Sequence, residues 1–331
     1  MNIREFSLRA GVSTATVSRA FHEPDKLTEA TRRRILSLAD ELGYYPSPSG
    51  RALVRGRHDV LGVVWPLEVE GAEASFAQRI LAALTGHLVK NDLDLLVCPL
   101  DRRESAALAH AKRTLQRSRC DAWILLYPRQ NDVLTGSLKK SGKPVVCLMG
   151  SLPECPEWKC VQLNQKSWID DALRRLKTAG CSNVTFFGSR PDEPDHEQRR
   201  KVFSECAPKY FGSRFRTIAG WPPDTGELRR QLLSGKCDAI IGVDDNAALL
   251  ALEVCGKAGL SVPKDVKVAG IDNIPQARFA LPSLTTYRQP LDEMAGCAVD
   301  LTGQTHAFAL VRRGAGSREQ PVTKQAATRT K

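Results

Sequence analysis

The first 45 residues carry the spacing of apolar positions that is typical of helices. In the segment EATRRRILSLADELG, apolar residues recur at i, i+3, i+4 and i+7 from Ile35 to Leu42, which marks one stripe of a helix. Thr28 can cap the start of this helix, and Gly43 follows its end. Two shorter helical stretches precede it, IREFSLRAG and TATVSRAFHE. The pattern therefore predicts a small all-α domain of three helices over residues 1–45.

From Val60 onwards, short apolar runs alternate with amphipathic stretches such as SFAQRILAALTGHLVKN. The runs VLGVVWPL, DAWILLYP, DAIIGVDD and VKVAGID each have Pro or Asp at the last position or the one before it. Nearly continuous apolar runs of this length are typical of parallel strands that are buried on both faces. The alternation predicts an α/β core of two doubly wound parallel-sheet subdomains over residues 59–313. Ligands of such sheets bind at the carboxyl ends of the strands.

Two segments break these patterns. PSPSGRALVRGRHD is rich in Pro, Ser, Gly and Arg, which predicts a linker over residues 46–58. Ser47 followed by Pro48 is also a helix-start signal, so a short hinge helix is an alternative within that linker. Residues 314–331 contain few apolar and several basic side chains, and we expect a disordered tail there.

Charge is concentrated at the two ends of the chain. The protein has 331 residues, 42% of them hydrophobic and 26% charged, which is typical of a globular protein. Its formal net charge is +11. Residues 1–58 hold ten Lys and Arg against six Asp and Glu, and residues 312–331 hold six against one, so the long middle section is nearly neutral. Basic ends favour a polyanionic partner.

Cysteine and histidine usage indicates no metal site and no metal cofactor. The ten cysteines are scattered, and the closest pair, Cys155 and Cys160, has no second pair or histidines nearby for zinc. We expect reduced structural thiols and a cytoplasmic protein. The N-terminus has no apolar h-region, and no run approaches 18 apolar residues, so we expect neither secretion nor a membrane partner.

Enzyme motifs are also missing from the sequence. It contains no GxGxxG after a first strand, no GxxxxGK[ST] and no GxSxG elbow. We expect a protein that is not an enzyme and that uses no cofactor.

The segment AGVSTATVSRAF, residues 10 to 21, predicts a DNA-reading helix. A small-residue turn leads into the second of three helices, which is the layout of a helix-turn-helix. Short side chains at Thr14 and Ala15 would let the backbone approach base edges, and Arg19 could donate two hydrogen bonds to a guanine. Ser13 is positioned to cap the helix. Double-stranded DNA is therefore the expected partner.

The same residues resemble those of a known family. The run from IREFSLRAGVSTATVSRAF through LTEATRRRILSLADELGYYPSPSGRAL resembles the N-terminal region of the lactose/galactose repressor family of bacterial transcription regulators. VDDNAAL, KVAGIDN and PSLTTYRQP occur in the order of that family's core, which is related to periplasmic sugar-binding proteins. The resemblance implies a homodimer that binds a pseudo-palindromic operator with an affinity set by a small molecule, a sugar or a sugar derivative.

The resemblance also implies subdomain boundaries and residue roles in the DNA-binding part. The N-terminal subdomain would comprise about 59–155 and 291–305, and the C-terminal subdomain about 160–288 and 306–313. The residues at base-reading positions are Thr14, Ala15 and Arg19. Those at phosphate-contacting positions are Ser13, Thr16 and Ser18. Those of a hinge helix that enters the minor groove are Arg51, Ala52 and Leu53.

In the core, the resemblance and the strand ends suggest effector-binding positions. The residues expected to contact the ligand are Phe76, Tyr127, Ser151, Arg199, Trp221, Asp245 and Asp272. The sequence departs from the family at Asp244, which stands where an asparagine is usual.

Two alternatives remain open from the sequence. One is a DNA-binding regulator whose cleft is inert or binds a protein. The other is a sugar-binding protein with no role on DNA.

Overall fold

The computed structural model describes residues 1–46, 56–67, 71–117 and 119–303. The predicted hinge residues 51–53, the predicted tail 314–331 and residues 304–313 lie outside the described part of the chain. The chain divides into two units, one formed by Met1–Asp59 with Arg119–Asp121 and the other by the remaining residues.

Three α-helices and a 3-10 turn make up the first unit. They are α1 (Ile3–Ala10), α2 (Thr14–His22), the turn Pro24–Lys26 and α3 (Glu29–Glu41). Asn2 opens α1 with a capping box, in which its side chain accepts from the Glu5 amide and the Glu5 carboxylate accepts from the Asn2 amide. A small core holds the helices together, and the rings of Phe6 and Tyr44 stack in it with centroids 4.2 Å apart.

The second unit begins with a five-stranded parallel sheet. Its strands are β1 (Val60–Pro66), β2 (Asp94–Leu100), β3 (Ala122–Leu126), β4 (Val145–Leu148) and β5 (Lys159–Val161), in the order β2-β1-β3-β4-β5. The helices α4 (Gly71–Lys90), α5 (Ser105–Arg117) and α6 (Thr135–Lys140) connect the strands. The late helix α12 (Leu291–Leu301) returns to this sheet and packs against α4, β4 and β5.

A second five-stranded parallel sheet follows. Its strands are β6 (Val184–Phe187), β7 (Phe215–Ile218), β8 (Ala239–Gly242), β9 (Lys267–Ile271) and β10 (Thr285–Tyr287), in the order β10-β9-β8-β6-β7. Its helices are α7 (Gln165–Thr178), α8 (Pro194–Phe211), α9 (Thr225–Leu233), α10 (Asp245–Lys257) and α11 (Pro275–Phe279). The two sheets with flanking helices confirm the predicted fold class.

Burial along the strands explains why nearly continuous apolar runs in the sequence predict these strands. Every residue of β3, β4, β6 and β8 is buried, because helices cover both faces of each sheet. The edge strand β7 keeps an exposed residue and partly buried neighbours, and its sequence FRTI is correspondingly mixed. Among the described helices, none is both long and apolar enough to cross a membrane.

Candidate functional site

Helix α2 separates a packing face from an open face. Val17 and Ala20 are fully buried in the core of the first unit. Thr14, Ala15 and Arg19 are exposed on the other side of the helix. Arg19 forms no salt bridge with the described residues, so its guanidinium is available to an external partner. The helix therefore presents short side chains and one cation to whatever lies against it.

The N-terminus of α2 suits an anion. The Ser13 hydroxyl accepts a hydrogen bond from the Thr16 amide at 3.1 Å and lies 2.8 Å from the Thr16 hydroxyl. No acidic residue occupies the first turn, so nothing on the helix itself neutralises the positive end of its dipole. Exposed amides and hydroxyls at such an end are typical phosphate ligands.

In the second unit, a cleft of about 670 Å³, open to solvent, lies between the carboxyl ends of the two sheets. Such a volume is within the usual range for small-molecule sites. The first subdomain, built on the sheet β1–β5, contributes Pro66, Phe76, Arg102, Tyr127, Pro128, Arg129 and Met149. The second contributes Arg190, Glu193, Pro194, Asp195, His196, Arg199, Asp244, Asn246, Asp272 and Gln289.

Arg199, near the N-terminal end of α8, is fixed by contacts on two of its nitrogens. Its side chain is 2% exposed, its Nη2 lies 2.5 Å from Asp195 Oδ2 and its Nη1 donates to the Val243 carbonyl at 2.7 Å. Gln165 in turn donates to the other Asp195 oxygen at 2.6 Å. Burial alone would lower the pKa of Arg199, but Asp195 and the other carboxylates around it raise that pKa. The Arg199 Nε has no hydrogen-bond partner among the described residues.

Asp272 follows β9 in a strained conformation. Its φ of 119° is in the region that favours glycine, where other residues cost about 1–3 kcal/mol. Burial raises the pKa of this carboxyl to about 7, with Arg199 opposing and Asp244 reinforcing the shift. Gln289 donates to Asp272 Oδ1 at 2.6 Å, while the Gln289 Oε1 has no partner in the described part of the chain.

Ion pairs connect the two walls of the cleft. Arg129, after β3, forms a salt bridge with Asp192 and lies 3.2 Å from Glu193, both in the loop before α8. Arg190 pairs with Glu193 at 3.0 Å, and its guanidinium lies 4.3 Å from the ring centroid of Trp221. Burial would raise the pKa of Glu193, but His196, Arg190 and Arg129 outweigh it and lower that pKa.

The charge that remains in the cleft is acidic. Each lining arginine has a carboxylate partner: Asp132 for Arg102, Asp192 and Glu193 for Arg129, Glu193 for Arg190, and Asp195 for Arg199. Asp244 and Asp272 form no salt bridge with any described residue. Among the described residues that line it, the cleft therefore offers unpaired carboxyl groups and no unpaired arginine.

Solved structures share this architecture. The Lac repressor bound to ONPG superimposes with a TM-score of 0.77 at 18% identity, covering 99% of this chain and 98% of that one. The complex of the transcriptional regulator CelR with cellobiose superimposes with a TM-score of 0.64 at 24% identity, covering 92% of this chain and 94% of that one. At these identities the likeness concerns the fold.

Sequence comparison decides the family. Residues 2–47 match "Bacterial regulatory proteins, lacI family", and residues 173–307 match "Periplasmic binding protein-like domain". The regulator GalR of Salmonella typhimurium is 28% identical over 307 residues, covering 90% of this chain and 87% of GalR. The repressor CytR of Escherichia coli is 28% identical over 305 residues, covering 88% of this chain and 86% of CytR.

The chain belongs to the lacI family of bacterial regulatory proteins. The predicted resemblance is therefore confirmed. This lacI-family protein is a DNA-binding transcription regulator with a sugar-binding type of domain, and its relatives are regulators rather than enzymes.

The lacI-family core brings four of the seven predicted effector residues together. They are Phe76, Tyr127, Arg199 and Asp272. Burial first, and then Asp272 and other nearby carboxylates, raise the pKa of Tyr127 well above its ordinary value, so its hydroxyl stays protonated. Its hydroxyl is therefore an additional donor in the cleft.

The other three predicted residues do not line the cleft. Asp245 turns into the interior, where it accepts hydrogen bonds from the Thr286 hydroxyl at 2.6 Å and the Ile274 amide at 3.0 Å. Asp244 is the acid that faces the cleft, and it also caps α10 by accepting from the Ala247 amide at 2.7 Å. Trp221 packs against the guanidinium of Arg190 and does not itself line the cleft. Ser151 follows the lining residue Met149 by two positions and does not line the cleft either.

Sequence reasoning missed several lining residues. These are Arg102, Arg129, Arg190, Glu193, Asp195, Asp244 and Gln289. A shared position in the sequence could have identified them, because most of them directly follow a strand or begin the helix after it. The loop RPDEPDHEQ, in particular, supplies both partners of the Arg190–Glu193 ion pair and the Asp195 that pairs with Arg199.

Proposed function

We propose that this lacI-family protein binds a pseudo-palindromic operator as a homodimer, and that a neutral polyhydroxylated molecule in the cleft sets its operator affinity. Because its partner is DNA, the protein would act in the cytoplasm. The observation that carries the DNA-binding part is the composition of the open face of α2. Thr14, Ala15 and Arg19 are exposed there, while the neighbouring apolar residues are buried.

In this proposal, Thr14, Ala15 and Arg19 read base edges in the major groove. Ser13, Thr16 and Ser18 contact phosphates around the helix start. The predicted hinge residues 51–53 would widen the minor groove between two half-sites, with Leu53 as the apolar wedge.

The dimer is supported by an exposed apolar patch at the end of α11. Phe279 is 77% exposed and Leu281 is 97% exposed. Two large apolar side chains so close together in sequence and so open to water favour contact with another protein surface. We assign that surface to a second copy of the chain, because a dyadic operator needs two reading helices.

The ligand class is argued from the polar groups of the cleft. Arg199 Nε is an unused donor and Gln289 Oε1 an unused acceptor within the described residues. Hydroxyl groups both donate and accept, so a polyol can satisfy the two together. The unpaired Asp244 and Asp272 disfavour phosphorylated or carboxylated sugars. Two similar structures are complexes with sugar-like ligands, cellobiose and ONPG.

The first experiment selects bound duplexes from a random pool with the full-length protein. We expect a pseudo-palindrome with a defined centre. Arg19→Ala should lower affinity by about 1–3 kcal/mol and relax one position of each half-site, because a two-pronged guanine contact would be lost. Arg9→Ala removes an equally exposed arginine from α1 and should leave the selected sequence unchanged. Uniform weakening by Arg19→Ala across all duplexes would contradict base reading.

The second experiment measures ligand binding by calorimetry. The panel pairs neutral monosaccharides and disaccharides with their phosphorylated counterparts. Binding confined to neutral compounds supports the proposal, and tighter binding of a phosphate ester contradicts it. A panel with no binding at all favours the alternative of an inert or protein-binding cleft.

A further inference from the structure

Two cysteines that are not among the residues lining the cleft lie side by side in the first subdomain. Cys147 of β4 and Cys160 of β5 are directly paired in the register of these parallel strands. Neighbouring strands lie about 4.8 Å apart. Disulfides form across Cα separations of about 4.4–6.8 Å, so the backbone already holds these two residues at a suitable distance.

The two thiols are in contact but differ in character. Cys147 is fully buried beside Cys160 in the strand register. Cys160 is partly exposed, and its thiol donates a hydrogen bond to the Trp158 carbonyl at 3.5 Å. A hydrogen bond between the two thiols lowers the pKa of Cys160 against the opposing effect of burial, whereas it raises the pKa of Cys147. Cys160 is therefore the thiol that ionises first.

Other cysteines of the second unit lack this combination. Burial raises the pKa of each of Cys181, Cys206, Cys237, Cys255 and Cys297. Thiolate character together with access to solvent decides which cysteine is oxidised. Cys160 has both, and a second thiol is next to it.

We propose that Cys147 and Cys160 form an oxidisable dithiol, which a hydroperoxide converts into an intramolecular disulfide. Nothing in the operator or effector proposals depends on this site, and it stands on the strand register and the contact between the thiols.

The chemistry follows from the two environments. The Cys160 thiolate attacks the terminal peroxide oxygen, the O–O bond breaks, and the leaving alkoxide or hydroxide takes up a proton. Cys160 is then a sulfenic acid, and it no longer accepts a hydrogen bond as a thiolate, so the constraint on ionising Cys147 is removed. The Cys147 thiol loses its proton, its sulfur attacks the Cys160 sulfur, and the S–O bond breaks with release of water. Two thiols and one hydroperoxide thus give one disulfide, one alcohol or water, and one water.

The position of the pair gives the disulfide a structural consequence. Met149 lines the cleft and follows Cys147 by two residues. The segment after β5 leads the chain into α7, the first helix of the second subdomain. A covalent link between β4 and β5 would therefore fix the strand that leaves the first subdomain, next to one wall of the cleft.

The test uses the full-length reduced protein and hydrogen peroxide, followed by alkylation and tryptic mass spectrometry. Cys147 and Cys155 share the tryptic peptide 141–159, because Pro144 protects Lys143 from cleavage, and Cys160 lies in the peptide 160–166. We expect these two peptides to become cross-linked and to separate again after reduction. An oxidised protein with no such cross-link, or one whose only new disulfide lies inside 141–159, would overturn the proposal.

Three serine variants assign the partners. Cys155→Ser should retain the cross-link, which makes it the matched control for a nearby buried cysteine. Cys160→Ser should abolish it and leave Cys147 unoxidised, and its partly exposed position makes a folding defect a minor concern. Cys147→Ser should leave Cys160 as a sulfenic acid that dimedone traps. A cross-link that survives in Cys147→Ser, or that disappears in Cys155→Ser, would contradict the assignment, because Cys155 would then be the partner of Cys160.

Discussion

At the scale of single residues, Asp272 has an unusual backbone conformation and an unusual pKa at the same position. It combines a left-handed backbone, burial and a pKa of about 7, next to a buried arginine that is already paired with Asp195. An ionised carboxylate accepts hydrogen bonds from ligand hydroxyls more strongly than the protonated carboxyl does, and a pKa of about 7 means that both forms are present at neutral pH. Ligand binding should therefore depend on pH.

We expect effector affinity to fall as pH decreases below 7. The bound hydroxyls favour the ionised form of Asp272, so binding must release a proton at lower pH, and affinity should weaken about tenfold between pH 8 and pH 6. Calorimetry at several pH values checks this with a ligand identified from the panel. Asp272→Asn keeps the shape without the charge and should bind with little pH dependence. A pH slope that persists in Asp272→Asn would assign the titration to another group.

The raised pKa of Asp272 also makes the stability of the folded protein depend on pH. The pKa of Asp272 is raised in the folded protein, so its contribution to the free energy of unfolding is present at low pH and is lost as pH rises towards and through 7. Relative to Asp272→Asn, the parent protein should lose stability as pH rises from about 4 to about 7. Thermal melts of both proteins across this range provide the measurement.

At the scale of elements, the first sheet depends on one close approach. Gly62 of β1 pairs with Trp123 of β3, and a Cβ atom at Gly62 would lie 2.2 Å from a ring carbon of that tryptophan. Trp123 is fully buried, so the ring has little room to move. The glycine is thus what allows the largest side chain of this core to lie across the neighbouring strand.

Gly62→Ala should lower the free energy of unfolding by about 1–3 kcal/mol, since overpacking forces the ring or the strand to shift. Gly86→Ala is the matched control. It adds the same methyl group to α4, where nothing lies within 4 Å, and should raise stability by about 0.5–1 kcal/mol. Urea unfolding measured through tryptophan fluorescence compares the two. Equal effects of both variants would show that contact with Trp123 does not decide the cost.

At the scale of the whole molecule, the subdomains of the core meet through a few identified contacts. Arg79 of α4 donates from one nitrogen to the carbonyls of Asp272 and Asn273, each at 3.0 Å. This contact links a helix of the first subdomain to the strained loop of the second. We expect it to couple the relative position of the two subdomains to the residue that we expect to bind the ligand.

Arg79→Met should weaken effector binding by about 1–3 kcal/mol, because hydrogen bonds from a charged donor to that loop would be lost. Arg113→Met changes an exposed arginine of α5 in the same subdomain and should have no effect on binding. Calorimetry measures both variants, and small-angle scattering reports whether the core opens. Unaltered affinity in Arg79→Met would mean that closure does not depend on this link.

Assembly is also decided at this scale. Leu281→Asp places a charge in the apolar patch at the end of α11 and should shift the proposed homodimer towards monomer in sedimentation measurements. Leu233→Asp, at a residue that is 56% exposed on α9, is the control and should remain dimeric. If both variants or neither dissociate, the interface lies elsewhere.

The sequence by itself determined the element types, the all-parallel sheets and the exposed face of α2. These follow from local rules: apolar runs covered on both faces, a serine cap, and short residues beside one arginine. Only the tertiary structure decided which acid faces the cleft. Asp244 and Asp245 are adjacent, and backbone direction at the start of α10 turns one towards the ligand site and the other to Thr286, 41 residues away. Ion pairs such as Arg129 with Glu193 likewise join residues that are distant in sequence, and no local pattern specifies which distant residues will meet.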